Sequence, residues 1–255
     1  MKKLFVLIAA ACMTCTAAFA QTVKPFKEGE RAVFLGNSIT DGGHYHSYIW
    51  LYYMTRFPDM PIRVFNGGIG GDTAYDMNKR LDGDIFAMKP SVLMVTFGMN
   101  DSGYFEYNGD KPKEFGEQKY QESIKNYQQM EKRFKDLPDT RIVMVGTSPY
   151  DETVQLKENT PFKTKNETIK RLVEYQKESA VKNNWEFTDL NAPMTAINQQ
   201  YQQKDPTFTL CGSDRIHPDN DGHMVMAYLF LKAQGFVGKE VADMEINANK
   251  KQAVK

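Results

Sequence analysis

Cysteine is scarce in this chain of 255 residues. Three are present, and two of them, Cys12 and Cys15, stand near the amino terminus. If that terminus is removed, as argued below, Cys211 alone remains, and a single thiol forms no intrachain disulfide. The folded chain must therefore draw its stability from a buried core, even in an oxidising compartment.

The net charge of the chain is also close to zero. The full chain carries 32 basic and 32 acidic residues, and loss of Lys2 and Lys3 with the first 20 residues leaves 30 basic against 32 acidic. A nearly neutral surface gives no reason to expect nucleic acid or an anionic membrane as a partner.

Long apolar runs are absent except at the start, where Met-Lys-Lys precedes LFVLIAAACMTCTAAFA. This pattern predicts a secretory signal peptide over residues 1–20, because a basic segment, an apolar run and the small-x-small sequence AFA follow one another. Threonine and cysteine interrupt the run, which disfavours a retained membrane anchor. We expect cleavage near Ala20 and export, to a periplasm or out of the cell; a lipid anchor on either early cysteine lacks its usual preceding pattern.

The remaining residues fit one domain. Removal of residues 1–20 leaves 255 − 20 = 235 residues, which is enough for one well-buried α/β domain and too few for two. We place the domain at residues 21–238 and expect the polar tail, residues 239–255, to be only partly ordered.

Apolar, β-branched segments alternate with segments of helical character. The strand candidates are RAVFLG (31–36), IRVFN (62–66), SVLMVTFG (91–98), RIVMVG (141–146) and the shorter WEFTDL (185–190). The helix candidates are residues 45–56, 73–88, 118–135, 162–183 and 222–233. Strands that are apolar throughout and alternate with helices indicate a parallel sheet covered on both faces. The sequence therefore predicts a single three-layer α/β/α domain.

Glycine and polar residues follow the strand candidates in four blocks. These are GNSITDGG (36–43), NGGIGGDT (66–73), GMND (98–101) and SDRIHPDNDGH (213–223). Ligands bind at the carboxyl ends of the strands in an open parallel sheet, so all four blocks are expected at one rim. Taken singly, each has an ordinary structural reading, such as a helix cap for the serine or a tight turn for the glycines.

Together the blocks supply what one mechanism requires. A serine hydroxyl attacks an ester only if a base takes its proton, and Ser38 and His217 are the candidates for these roles. Asp214, three residues before the histidine, can hold the imidazole tautomer. The oxyanion that forms needs fixed donors, and we assign the Ser38 N–H, the Gly71 N–H and the Asn100 amide to an oxyanion hole.

The four blocks resemble those of the SGNH (GDSL-like) hydrolase superfamily. GNSIT is similar to the serine block, with Asn37 in place of the usual aspartate; NGGIGGDT, GMND and DRIHP are similar to the glycine, asparagine and Asp-x-x-His blocks. The resemblance covers roughly residues 32–233. It implies a flavodoxin-like fold with a central five-stranded parallel sheet, the nucleophile, base and oxyanion roles given above, and no metal or organic cofactor.

Several other polar residues have structural interpretations. His44 and His46 do not share a helix face and lack further ligands nearby, so we read them as helix start or pocket rim and predict no metal site. His223 is read as structural. The carboxylates that follow the motif cores are expected to fix loops as hydrogen-bond acceptors; they are Asp41, Asp72 and Asp101.

Loop aromatics suggest a substrate contact. Tyr104, Phe105 and Tyr107 follow the asparagine block, and Tyr150 follows the fourth strand candidate. We consider two interpretations of the tyrosines, a platform on which a sugar ring stacks and simple packing into the fold.

Three functions are consistent with these features. The first is an exported serine esterase that removes acetyl or other short acyl groups, with a carbohydrate or small-molecule ester as substrate. The runner-up is a lysophospholipase or thioesterase, disfavoured because the loops are polar where an acyl channel would need apolar residues. The third is a carbohydrate-binding protein without turnover, disfavoured because all five candidate catalytic groups are present.

Overall fold

The computed structural model describes residues 22–238, together with the backbone of two short strands at Glu245–Asn247 and Gln252–Val254. The signal peptide predicted over residues 1–20 lies outside the described residues and stays a prediction. The two short strands pair antiparallel within the stretch expected to be a partly ordered tail.

Five parallel strands form the central sheet. They are β1 (Arg31–Gly36), β2 (Arg63–Gly68), β3 (Val92–Val95), β4 (Arg141–Gly146) and β5 (Glu186–Asp189). Their order across the sheet is β2-β1-β3-β4-β5, and every neighbouring pair is parallel. This is the flavodoxin-like order, so the predicted fold class is confirmed.

Residues 22–238 contain seven α-helices, five between the strands of the sheet and two after β5. They are α1 (Ser38–Asp41), α2 (His44–Arg56), α3 (Ala74–Arg80), α4 (Pro112–Lys135), α5 (Lys165–Asn183), α6 (Asn191–Gln202) and α7 (Asn220–Ala233). Side chains alternate across β1, so that Ala32 and Phe34 face a core shared with α2, α6 and α7. Val33 and Leu35 face the second core, to which α3 and α4 contribute. The sheet is therefore covered on both faces, in three layers.

Two helix bounds differ from the predicted ones by more than three residues, and the other predicted helices begin within three residues of the expected starts. The helix predicted over 73–88 ends at Arg80 and continues as a π turn (Leu81–Ile85) and a 3₁₀ turn (Phe86–Met88). Gly83 interrupts the helical sequence there, because glycine loses more backbone entropy in a helix than other residues. Helix α4 begins six residues before the predicted start, at Pro112, whose missing N–H is tolerated in a first turn.

Helix α6 was not predicted. Its sequence, NAPMTAINQQYQ, places a proline at the third residue and offers few apolar positions. The structure supplies an N-terminal acceptor that the pattern did not reveal, because Asp189 Oδ1 accepts from the N–H groups of Asn191 and Ala192 at 2.7 and 3.2 Å. Proline in the first turn then costs no hydrogen bond.

Cys211 is buried and unpaired. Among the described residues, no helix combines the length and apolar character needed to cross a bilayer.

Candidate active site

Ser38 is the first residue of α1 and lies two residues after the end of strand β1. The neighbours of β1 are β2 on one side and β3 on the other, so the strand order reverses direction at β1. In parallel sheets of this kind, ligands bind in the crevice at the carboxyl ends of the strands where the order reverses. The capping role belongs to the preceding residue, since Asn37 Oδ1 accepts from the Ile39 N–H at 3.1 Å. The serine hydroxyl is therefore not needed as the helix cap, and the asparagine provides the local hydrogen bond expected of it.

The glycine block packs directly against the serine block. A Cβ atom on Gly68 would lie 2.2 Å from the Asp41 nitrogen, so only glycine lets the end of β2 approach this closely. Asn66 Nδ2 also donates to the Asp41 carbonyl at 2.9 Å. Asp41 therefore fixes the loop through its backbone.

The asparagine block reaches the glycine block in turn. Asn100 Nδ2 donates to the Asp72 carbonyl at 2.9 Å, and its Oδ1 accepts from the Tyr104 hydroxyl. The second hydrogen on Nδ2 is left for another acceptor. Gly71 has φ of +84°, and nothing lies within 4 Å of where its Cβ would stand, so its backbone borders open space.

Ser38, His217 and Asp214 form a hydrogen-bonded line. Ser38 Oγ lies 2.7 Å from His217 Nε2, and His217 Nδ1 lies 2.6 Å from Asp214 Oδ2. One tautomer satisfies both contacts: the Nδ1–H donates to the carboxylate while Nε2 accepts from the serine hydroxyl. The structure thus brings together the three side chains that the sequence singled out.

Asp214 and His217 shift each other's pKa in the directions that favour an ionised carboxylate and a protonated imidazole. Partial burial acts to raise the pKa of Asp214, but hydrogen bonds from the His217 side chain and from the His217 and Ile216 N–H groups lower it to about 2. The hydrogen bond to Asp214 raises the pKa of His217 above its ordinary value, against partial desolvation. Both side chains remain nearly half exposed, at 46% and 47%, so the site is open to solvent.

A tight loop aims the aspartate and the histidine inward. Gly212 N–H donates to the His217 carbonyl at 2.6 Å, which closes the loop on itself. Arg215, between Asp214 and His217, adopts a φ of +66°, in the left-handed region that non-glycine residues rarely occupy. Its buried guanidinium compensates by donating to the carbonyls of Asp151, Val154 and Asn159. Sequence reasoning missed this arginine, although it lies inside the DRIHP block.

Two of the remaining carboxylates fix loops, as predicted. Asp101 is buried and accepts from the Ala74 and Gly98 N–H groups and from the Ser123 hydroxyl. Asp72 is paired with Arg80 at 2.6 Å.

Arg80 is a second residue that sequence reasoning missed. Its guanidinium also donates to the Gly67 and Gly36 carbonyls, at 2.8 and 3.3 Å, and so ties together the ends of β1 and β2. No local pattern distinguishes it from Lys79, the other basic residue of α3.

The three other histidines cluster behind the site. His44 stacks on His223 with ring centroids 4.9 Å apart, and His46 Nε2 lies 3.2 Å from the Thr40 carbonyl. Burial and the neighbouring histidines lower the pKa of His223 to about 4, which keeps it neutral. In the part of the chain that the structure describes, no group of histidine, cysteine and carboxylate side chains could hold a metal ion.

Of the two interpretations of the tyrosines, packing into the fold is the correct one for Tyr107 and Tyr150, and the sugar platform is wrong for these two of the three. Tyr107 and Tyr150 are only 3% and 1% exposed, because their hydroxyls are used inside the fold, so neither offers a ring face to a substrate. Tyr104 is half-buried. The exposed aromatic ring beside it is Phe105, at 79%, which contacts Phe162 edge to face at 5.6 Å.

The sequence matches the model of the GDSL-like Lipase/Acylhydrolase family over residues 34–225. The chain belongs to this family. It is similar to an acetylxylan esterase of Geobacillus stearothermophilus, with 27% identity over 224 residues that cover 82% of this chain and 95% of that protein. The chain is accordingly a GDSL-type carboxylic ester hydrolase, and the reading as a binding protein without turnover is set aside.

Solved structures of esterases and related enzymes are also similar to this chain. The crystal structure of Axe2, an acetylxylan esterase from Geobacillus stearothermophilus, superposes with a TM-score of 0.64 at 26% identity, over 82% of this chain and 96% of the other. A gut microbial diltiazem-metabolizing enzyme superposes with a TM-score of 0.88 at 85% identity, over 92% of this chain. The match covers 53% of that enzyme, so this chain spans about half of its length.

Proposed function

We propose that this GDSL-type esterase hydrolyses acetyl and other short acyl esters with Ser38 as nucleophile, His217 as base and Asp214 as the carboxylate that orients the base. The observation that carries the proposal is the unbroken line of hydrogen bonds, 2.7 and 2.6 Å long, from the serine hydroxyl to the aspartate. Nucleophile, base and orienting group within such reach are the signature of an activated serine.

In the first half of the reaction, Ser38 Oγ attacks the ester carbonyl carbon while His217 Nε2 takes the hydroxyl proton. The carbonyl oxygen becomes an oxyanion, stabilised by the Ser38 and Gly71 N–H groups and by the free hydrogen of the Asn100 amide. The tetrahedral intermediate then expels the alcohol, which receives the proton from His217. An acyl group remains on the serine oxygen.

In the second half, water replaces the alcohol. His217 takes a proton from the water as its oxygen attacks the acyl carbon, and the same donors hold the second oxyanion. Collapse breaks the bond to Ser38 Oγ, which recovers its proton from the imidazolium, and the carboxylic acid leaves. Asp214 stays ionised throughout, which fits its pKa of about 2.

A short acyl group suits the cavities better than a fatty one. The large apolar groove of the described residues, about 460 Å³, lies between α2 and α7 and is lined by residues such as Leu51, Tyr52 and Leu231. None of its lining residues belongs to the four blocks. The groove is therefore not an acyl channel for Ser38, which disfavours the lysophospholipase or thioesterase alternative.

The alcohol part of the substrate is proposed from the relatives. An acetylated xylooligosaccharide or polysaccharide follows from the resemblance to acetylxylan esterase. Diltiazem, an alkyl acetate ester that also carries aromatic rings, is a second candidate because the similar structure belongs to a diltiazem-metabolizing enzyme. We propose that Phe105 and Phe162, in place of the buried tyrosines, offer the aromatic surface for such rings.

The test compares the chain with its Ser38→Ala variant on p-nitrophenyl acetate, butyrate and octanoate, and then on acetylated xylooligosaccharide and diltiazem. We expect hydrolysis that falls with acyl length and is absent from the variant. Equal hydrolysis by the variant would overturn the serine mechanism. A preference for octanoate would favour the lipid alternative.

We also propose export, on the evidence of the amino-terminal sequence alone. Amino-terminal sequencing of the chain from the compartment where it accumulates checks this, with Gln21 expected as the first residue.

A further inference from the structure

Lys165, at the start of α5, is fully buried although it carries an ammonium group. Burial lowers its pKa to about 7, and the nearby Asp101 opposes this by favouring the charged form. Fully buried lysines are rare unless the ammonium group is paired with acceptors or an opposite charge. The mechanism above assigns this lysine no role.

The side-chain hydrogen bonds of Lys165 all go to the turn over residues 99–103, which contains Asn100. Nζ donates to the Met99 carbonyl at 2.7 Å and to the Ser102 hydroxyl and the Gly103 carbonyl at 2.5 Å each. These acceptors lie immediately before Asn100 and two and three residues after it. The three N–H groups of the ammonium are thus all used, and together they clamp the turn that carries the asparagine.

The same ammonium group supports the orientation of the Asn100 amide. Nζ lies 3.9 Å from the centre of the Tyr104 ring, a cation–π distance. The Tyr104 hydroxyl donates to Asn100 Oδ1, while Asn100 Nδ2 donates to the Asp72 carbonyl. A carbonyl only accepts, so the contact with Asp72 fixes which end of the amide is Nδ2, and the tyrosine holds the other end.

We propose that Lys165 is a positioning residue for the oxyanion hole, acting through Tyr104 and the 99–103 turn to hold the Asn100 amide toward the developing oxyanion. This inference rests on the proposed function. Preorganisation is what makes such donors effective, because a donor that must reorient during the reaction loses much of its advantage.

A merely structural role for Lys165 gives a different result. If the lysine only stabilised the fold, its removal would lower the melting temperature. It would also lower the activity by the same factor whether or not the Asn100 side chain is present. If it acts through Asn100, its removal has no further effect on catalysis once the asparagine side chain is gone, since interacting residues are non-additive.

The experiment is therefore a double-mutant cycle on p-nitrophenyl acetate, with kcat, KM and melting temperature measured for Lys165→Met, Asn100→Ala and the double variant. Tyr104→Phe, which removes one hydroxyl, is combined with Asn100→Ala in the same way and keeps the test available if Lys165→Met does not fold. Lys170→Met, an exposed lysine on the same helix, is the matched control, and Ser38→Ala tests the mechanism itself.

We expect Lys165→Met and Tyr104→Phe each to lower kcat about tenfold, part of the roughly 10²- to 10³-fold that a whole oxyanion donor is worth, with KM little changed. In the Asn100→Ala background each should lower kcat by less than about twofold. Equal losses in both backgrounds, or no loss in the parent, overturn this inference while leaving the serine mechanism intact. Full activity of Ser38→Ala overturns both.

Discussion

The carboxylate of Asp214 holds His217 at two points. Oδ2 lies 2.6 Å from the ring nitrogen Nδ1, and Oδ1 accepts from the backbone N–H of the same histidine at 3.0 Å. One side chain thereby sets both the rotation of the imidazole and the turn that presents it. The three-residue spacing in DRIHP is what makes this double contact possible.

This relationship leads to a prediction about pH. The base must be neutral to accept a proton, so kcat/KM should rise with pH through the pKa of His217, which Asp214 raises. Asp214→Asn removes the negative charge, so the pKa of His217 falls and the rising limb moves to lower pH. The plateau should also fall by about 10³- to 10⁴-fold, since the amide no longer secures the imidazolium.

The measurement is a pH–rate profile of kcat/KM for the wild type and for Asp214→Asn. Asp221→Asn, an exposed carboxylate on α7, serves as the control and should leave the midpoint in place. If the rising limb of the Asp214→Asn profile has the same midpoint as that of the wild type, or a higher one, then the limb does not report the pKa of His217.

The second prediction concerns the contact between the serine and glycine blocks. In Gly68→Ala the new Cβ would stand 2.2 Å from the Asp41 backbone nitrogen, and backbone cannot move aside as a side chain can. We expect a loss of about 1 to 3 kcal/mol in the free energy of unfolding, typical of overpacking, and a fall in kcat because α1 is displaced.

Gly83→Ala is the matched control for this prediction, because nothing lies within 4 Å of its Cβ position and its φ is not in the left-handed region. Urea denaturation and p-nitrophenyl acetate hydrolysis measure both variants. Equal stability of Gly68→Ala and Gly83→Ala would show that the close approach of the two blocks is not as described.

The third prediction concerns Phe105. Its ring is 79% exposed, so truncation removes little buried surface and should leave the melting temperature unchanged. Phe105→Ala should leave kcat/KM for p-nitrophenyl acetate within about twofold but raise KM for acetylated xylooligosaccharide or diltiazem, since stacking on aromatic rings is worth about 0.5 to 1.5 kcal/mol.

Tyr228→Ala is the control for Phe105, since this tyrosine is also exposed and lines the groove between α2 and α7. Steady-state kinetics on the small and large substrates separate the two positions. A similar rise in KM for both variants, or for neither, argues against a ring-binding surface at Phe105.

Much of the site could be predicted because one reaction demands particular residue types. Serine, histidine and aspartate were recognisable as Ser38, His217 and Asp214 once the alternation of strands and helices had put their blocks at one rim. Lys165 was not recognisable, since KNETIKR is typical of the start of any amphipathic helix. Its role depends on which carbonyls the fold brings to its ammonium group.

Burial was equally hidden from the sequence. Tyr107 and Tyr150 stand in polar stretches that looked exposed, yet each hydroxyl has a partner distant in sequence, such as Thr168 for Tyr107 and the Phe162 N–H for Tyr150. Long-range partners of this kind follow from tertiary packing, which local pattern does not encode. Tyr107 and Tyr150 are therefore part of the packed interior, whereas Phe105 lies on the surface.

The last prediction concerns Arg80, whose guanidinium pairs with Asp72 and donates to the carbonyls at the ends of β1 and β2. The arginine and aspartate side chains are only 13% and 10% exposed. Arg80→Met therefore leaves a mostly buried carboxylate without its charged partner and removes one donor from each carbonyl, although the Gly36 carbonyl still accepts from the Ile69 N–H at 3.2 Å. The substitution should lower the free energy of unfolding by about 3 to 5 kcal/mol.

Lys79→Met, the neighbouring exposed lysine that lies over the Tyr75 ring, should change stability by less than about 1 kcal/mol, as usual for exposed cation–π contacts. Guanidinium denaturation of the two variants gives the comparison. Because Asp72 also supplies the carbonyl that accepts from Asn100, Arg80→Met should lower kcat as well. If its stability matches that of Lys79→Met, then Arg80 does not hold the ends of β1 and β2 together.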